Sequence, residues 1–251
     1  MFSFFKKKEP APDLSKAPKD FSFLKADMHS HLVPGIDDGS PDLDTSMMLI
    51  RGLNDLGYSK LITTPHSHLD FYNNTREKIT ENFEKLQHFI ADQRIGVSLG
   101  IASEYFLDGL FQGAILPHGL LTFGDKYVLV EVSMAGWPRS FSDIIFAIQS
   151  LGYKPVLAHP ERYLFEEDVR VYKEHKSRGM LFALNLLSLT GYYGKGVQHL
   201  AEAFMKEELY SFCGTDLHNE RHLERLRRMA SHHPETMLQL AEYPHWRNAE
   251  L

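Results

Sequence analysis

A single cysteine, Cys213, stands in 251 residues. That scarcity excludes an internal disulfide, favours a reducing compartment and disfavours a closed structural zinc site, which would use thiolates. No apolar run approaches the ~18–20 residues that a membrane-spanning helix needs. Positive charge is also in short supply: 27 Lys and Arg against 33 Asp and Glu leave a formal net charge of −6, which argues against a general nucleic-acid binder. The first twenty residues, MFSFFKKKEPAPDLSKAPKD, lack the apolar core and cleavage site of a secretory signal. Phe2, Phe4 and Phe5 beside Lys6–Lys8 support at most weak, reversible adsorption to an anionic membrane surface. The expected organisation is a flexible tail over residues 1–22 and one domain over 23–251, cytoplasmic or peripheral at the inner face of the membrane.

Histidine, by contrast, is abundant. There are fourteen, many in close pairs such as His29/His31 and His66/His68. In the run HSHLVPGIDDG, His29 and His31 are two apart, so an extended strand turns both imidazoles to one face. Asp37 and Asp38 follow on a loop bounded by Pro34, Gly35 and Gly39, which can fold a carboxylate back toward the same ion.

From Phe21 onward, short apolar runs alternate with helix-like segments. Strands are expected in FSFLKADMHSH, KLITTPH, IGVSLGIASEY, YVLVEVSM, KPVLAHPERY, MLFALNL and LYSFCGTDLH. Helices are expected from Leu43 to Leu56, Thr75 to Ala91, Phe141 to Leu151, Asp168 to Arg178 and Val197 to Lys206, with a final one from about Arg221 to Ala230. Seven β/α repeats imply parallel strands with crossover helices, hence an α/β barrel whose chemistry sits at the C-terminal strand ends.

His29, His31, Asp38, His66, Glu104, Glu131, His159, Asp216 and His218 all fall at or just beyond such strand ends. Nine nitrogen and oxygen donors are too many for one ion and suit two or three divalent ions, with one carboxylate bridging a pair. Glu131 lies in an otherwise apolar strand, where an unpaired carboxylate is costly. Mixed imidazole and carboxylate ligation suits manganese, iron, zinc or cobalt.

HSHLVPGIDDG, TTPH, SEYF, VLVEVS, AHPERY and TDLHN, in that order, resemble the polymerase-and-histidinol-phosphatase (PHP) superfamily. Within it they most resemble the metal-dependent protein-tyrosine phosphatases of bacterial capsule and exopolysaccharide operons, over about residues 24 to 245. The resemblance implies a distorted (β/α)7 barrel. It implies that His29, His31, Glu104 and Asp216 hold one metal, that Glu104 bridges to a second held by Glu131 and His159, and that Asp38, His66 and His218 hold a third. The implied reaction is hydrolysis of a phosphate monoester by metal-activated water, and the implied substrate is the phosphotyrosine tail of a membrane-bound tyrosine kinase.

Arg162, three residues after His159, can reach over the metals and offer planar donors to phosphate oxygens. Arg221 follows His218 similarly, although the family's second arginine often lies further along. Cys213 lacks the arginine six positions on that a cysteine-dependent phosphatase loop requires; Asn219 stands there. His68 lies past its strand end and is expected to be peripheral. SLTGYYGKG, Ser188 to Gly196, either lines the pocket or forms a turn. Rival readings are a small-molecule phosphatase such as histidinol phosphatase, a C–N-cleaving amidohydrolase, and a non-catalytic regulator that binds the kinase tail.

Overall fold

The computed structural model describes residues 12–91, 93 and 95–251. The phenylalanines and lysines at positions 2–8 lie outside them. Among the described residues nine strands form, all paired in parallel: β1 (Ala26–Asp27), β2 (Lys60–Thr63), β3 (His66–Ser67), β4 (Ser98–Ile101), β5 (Glu104–Phe106), β6 (Tyr127–Glu131), β7 (Lys154–Ala158), β8 (Leu181–Asn185) and β9 (Phe212–Gly214). They make two sheets, β1-β2-β4 and β3-β5-β6-β7-β8-β9.

Seven expected strands become nine because two of them are broken. Pro65 has no N–H to give the ladder, so KLITTPH divides into β2 and β3. Its neighbour divides opposite the same point, at Ala102–Ser103. Hydrogen bonds still cross both breaks, from Ala102 N–H to Thr63 O at 2.9 Å and from Glu104 N–H to Pro65 O at 3.1 Å. Beyond the break the new register sets His66 directly beside Glu104. The last strand returns to the first through a parallel bridge, Ser30 with Leu217, and Asp216 N–H donates to His29 O at 2.8 Å. The seven strand positions therefore close into a barrel.

Period-2 alternation sorts the side chains of these strands. Met28, Ile62, Ala102, Leu129, Val156, Ala158, Ala183 and Phe212 form one buried cluster, the barrel interior. Leu61, Val128, Val130, Leu157, Phe182, Leu184 and Cys213 join a second, larger cluster with the helices. Asn248 ties the N-terminal end of the barrel: its amide donates to Ala26 O at 2.9 Å and Cys213 O at 2.7 Å, bridging first and last strands.

Helices α1 (Leu43–Asp55), α2 (Arg76–Ile90), α3 (Phe141–Ser150), α4 (Val169–Ser177), α5 (Lys195–Lys206) and α6 (Glu220–His232) occupy the expected segments. Asp42, Thr75, Asp168 and Asn219 cap four of them through side-chain oxygens. The chain does not end its helices at α6, as the sequence suggested. Pro234 occupies the first turn of a further helix, α7 (Pro234–Glu242), where its missing N–H costs nothing, and Met237, Leu238 and Leu240 are buried. The folded body also begins before residue 23. Phe21 is fully buried, stacks on Tyr58 at 5.7 Å and donates its N–H to Leu56 O, so the expected tail of residues 1–22 extends too far.

Candidate metal centre

All nine expected donors meet at the C-terminal mouth of the barrel. His29 Nε2 lies 3.2 Å from Glu104 Oε2 and 3.3 Å from Asp216 Oδ1. His31 Nε2 lies 3.4 Å from each of the same oxygens and 3.4 Å from His29 Nε2. Five of the six separations among these four donor atoms are thus 3.2–3.4 Å, close enough for all four to face one ion. His31 Nδ1 faces Asp37 Oδ2 at 2.8 Å; a ring proton held there would leave Nε2 to bind an ion at the centre. The donor chemistry fits a divalent cation.

Glu104 is fully buried and uses both oxygens. Oε2 faces His29, His31 and His66 Nδ1, the last at 3.2 Å, while Oε1 faces His159 Nε2 at 3.1 Å. Glu131 Oε1 stands 3.1 Å from His66 Nδ1, and its Oε2 is 4.0 Å from His159. Asp38, at the rim, is 3.5 Å from both His66 Nε2 and His218 Nε2. His66 therefore lies between two donor groups, one nitrogen toward each. Burial raises the Glu104 and Asp216 carboxyls, but adjacent imidazoles, His29 foremost, outweigh it and hold both well below the usual range. The His218 hydrogen bond chiefly draws Asp38 down to about 2.

Two ligand candidates hold left-handed backbone without being glycine: His159 at φ 35° and Asp216 at φ 50°. Such conformations persist only where neighbours enforce them. His159 N–H donates to Ala183 O, and Asp216 N–H to His29 O, both at 2.8 Å. Close approach also dictates two glycines. A Cβ on Gly39 would meet His31 Cβ at 2.4 Å, and one on Gly214 would meet His29 Cβ at 2.5 Å.

Arg162 reaches the centre. Its Nη1 donates to Asp216 Oδ2 at 3.1 Å, and its guanidinium lies 4.5 Å over the Tyr193 ring. Arg221 is not brought there. It lines a neighbouring groove, and His222 contributes to the cleft from the same turn of α6. His68 stays outside the nine, stacked on Phe106 at 4.0 Å and 3.7 Å from Asp108. Cys213 is buried, and burial pushes its thiol well above its ordinary value, unsuited to nucleophilic work. SLTGYYGKG does both things considered for it. Leu186–Thr190 is a 3₁₀ turn ended by Gly191 at φ 72°, and Tyr192 and Tyr193 then line the cleft.

A family model described as capsular polysaccharide synthesis, CpsB/CapC, matches residues 25–235. The chain belongs to the CpsB/CapC family. It is 27% identical over 195 residues to the tyrosine-protein phosphatase YwqE of Bacillus subtilis, covering 77% of each. It is 28% identical over 203 residues to the tyrosine-protein phosphatase CpsB of Streptococcus pneumoniae, covering 77% of this chain and 82% of that one. A chain from the crystal structures of YwqE and CpsB, described as metal-dependent tyrosine phosphatases, superposes with a TM-score of 0.72 at 25% identity, covering 86% of this chain and 92% of its own. An amidohydrolase from Mycoplasma synoviae shares the fold alone, at a TM-score of 0.55 and 10% identity over 88% of this chain and 84% of that one.

Three supporting residues of this CpsB/CapC chain escaped sequence reasoning. Asp37 was seen only as a loop carboxylate, yet it orients His31 and accepts the N–H of His66 at 3.1 Å and of Gly39 at 3.0 Å. Asn185 donates to Asp216 Oδ2 at 2.9 Å and to the Tyr193 hydroxyl oxygen at 3.1 Å. Glu161, buried within AHPER, accepts from Asn185 N–H, the Ser188 hydroxyl and the Tyr210 hydroxyl, pinning the turn between His159 and Arg162. Replacing Asp37 with Asn removes the carboxylate that fixes the His31 tautomer. Metal affinity should fall about 10–100-fold, read by competition against a chromogenic chelator; unchanged affinity would deny Asp37 this role.

Proposed function

We propose that the chain is a metal-dependent phosphotyrosine phosphatase with two or three divalent ions in this cleft, drawn from manganese, iron, zinc and cobalt. The observation that carries the reading is the tight donor set of His29, His31, Glu104 and Asp216, in which each imidazole lies 3.2–3.4 Å from both carboxylates and from the other imidazole. His159, Glu131, Asp38, His66 and His218 would complete the set around it. Bound divalent ions would supply Lewis acidity and bring water to hydroxide near neutral pH. The chain's own contribution is orientation and charge. Arg162, steered by Asp216 and Tyr193, presents guanidinium N–H groups to phosphate oxygens. Tyr192 and Tyr193, edge to face at 4.9 Å, and exposed Met134 offer apolar surface for a phenyl ring at the cleft mouth. The cleft holds about 410 Å³, room for a phosphotyrosyl side chain.

The proposed substrate is the phosphorylated tail of a membrane-bound tyrosine kinase of the capsule system, met on the cytoplasmic side. No helix among the described residues is long and apolar enough to cross a membrane. Turnover of a phosphotyrosyl peptide compared with histidinol phosphate tests the substrate class. The expected result is a kcat/KM at least about a hundredfold higher for the peptide. Preference for histidinol phosphate would overturn the assignment, and tight peptide binding without turnover by the metal-loaded protein would point to a non-catalytic regulator.

A further inference from the structure

Beside the metal cleft runs a second, open groove of about 540 Å³. Arg221, Arg225 and Arg228 line it, at positions that share one face of α6, and Tyr192 and His233 complete its sides. All three arginines are exposed. Among the described residues none of them forms an ion pair; the arginines that do are Arg162, Arg170, Arg178 and Arg247. Glu220 and Glu224 belong to the same helix but do not line the groove. A concentration of unpaired guanidinium groups in a chain of net charge −6 is a local reversal of sign.

The groove and the cleft share a wall. Tyr192 lines both, with Arg225 6.0 Å from its ring on one side and His222, a cleft residue, 5.4 Å away edge-on. A chain that leaves the cleft past Tyr192 thus meets the arginines at once. Their planar donors match carboxylate and phosphate oxygens alike.

We propose that this groove is a subsite for an acidic peptide segment flanking the phosphotyrosine, its anionic side chains being carboxylates or further phosphotyrosines. The proposal deepens the phosphatase reading of the cleft and rests on it. The test uses three phosphotyrosyl peptides of equal length, flanked by Glu, by Gln or by further phosphotyrosines, with the metal-loaded wild type and the Arg225→Gln/Arg228→Gln variant. Wild type should favour each anionic peptide over the Gln peptide by about tenfold in kcat/KM, expressed in KM and shrinking as salt is raised. In the variant that ratio should fall below about twofold. The anionic arm that loses its preference names the source of the charge. A ratio equal in the two proteins overturns the proposal. So does arginine-dependent binding to phosphatidylserine vesicles with no peptide preference, which would make the groove a lipid contact. If no peptide is hydrolysed, the phosphatase reading fails separately. Equilibrium binding of the same peptides then decides the groove: an arginine-dependent preference supports it, and its absence overturns it.

Discussion

Replacing Glu104 by Gln should strip the protein of most of its divalent metal and lower kcat/KM for a phosphotyrosyl peptide by about a thousandfold or more. Among the described residues, Glu104 is the one side chain whose oxygens face four imidazoles, those of His29, His31, His66 and His159, at 3.1–3.4 Å. Glutamine keeps the volume but exchanges one acceptor oxygen for a donor NH2 and removes the charge. A donor cannot ligate, and a neutral amide does little to offset the charge of ions on either side. Both clusters of donors should therefore loosen together. The hydrophobic core lies below and outside the mouth, so circular dichroism should still report a folded barrel. Full metal occupancy in the variant, or activity within about tenfold of wild type, would contradict the central placement of Glu104.

Arg162→Lys carries the second large effect, of a different kind. Lysine keeps the positive charge but loses the planar fork and the stacking on Tyr193. Metal content should stay near that of wild type, because Asp216 keeps Asn185 as a donor on Oδ2. Turnover should fall about a hundredfold, as expected when one preorganised donor to a transition-state oxygen is lost. Inhibition by inorganic phosphate should weaken in parallel. A variant that loses metal and turnover together would instead make Arg162 a support for Asp216 alone.

What was legible in the sequence has a physical pattern. His29 and His31 declare themselves through strand periodicity, and His159 and Asp216 because each ends an apolar run. The helices were legible for the same local reason, through apolar residues at helical spacing, and the structure adds their caps at Asp42, Thr75 and Asp168. Information that depends on register was not. The break at Pro65 aligns His66 with Glu104, and it can be recognised only once two strands are paired. Asp37 and Asp38 are chemically identical neighbours. Which one orients His31 and which one faces His66 and His218 depends on loop geometry. Asn185 and Glu161 look like ordinary polar residues until the sixth strand position is laid beside the AHPER turn. Arg221 shows the converse error, because sequence proximity to His218 suggested a place at the metals. The helical turn of α6 carries it into the adjoining groove and leaves His222 at the cleft. The missed α7 has a similar cause, in that Pro234 ends one pattern and begins another.

The most direct measurement joins metal content to phosphotyrosyl-peptide hydrolysis in one preparation. Protein purified without chelator is assayed for bound divalent metal and for turnover, stripped exhaustively, assayed again, and then reloaded with manganese, iron, zinc or cobalt in turn. Turnover should disappear with the metal and return with at least one of these ions. Replacement of Cys213 by Ala should leave the metal dependence intact. Hydrolysis that persists after complete metal removal would contradict it.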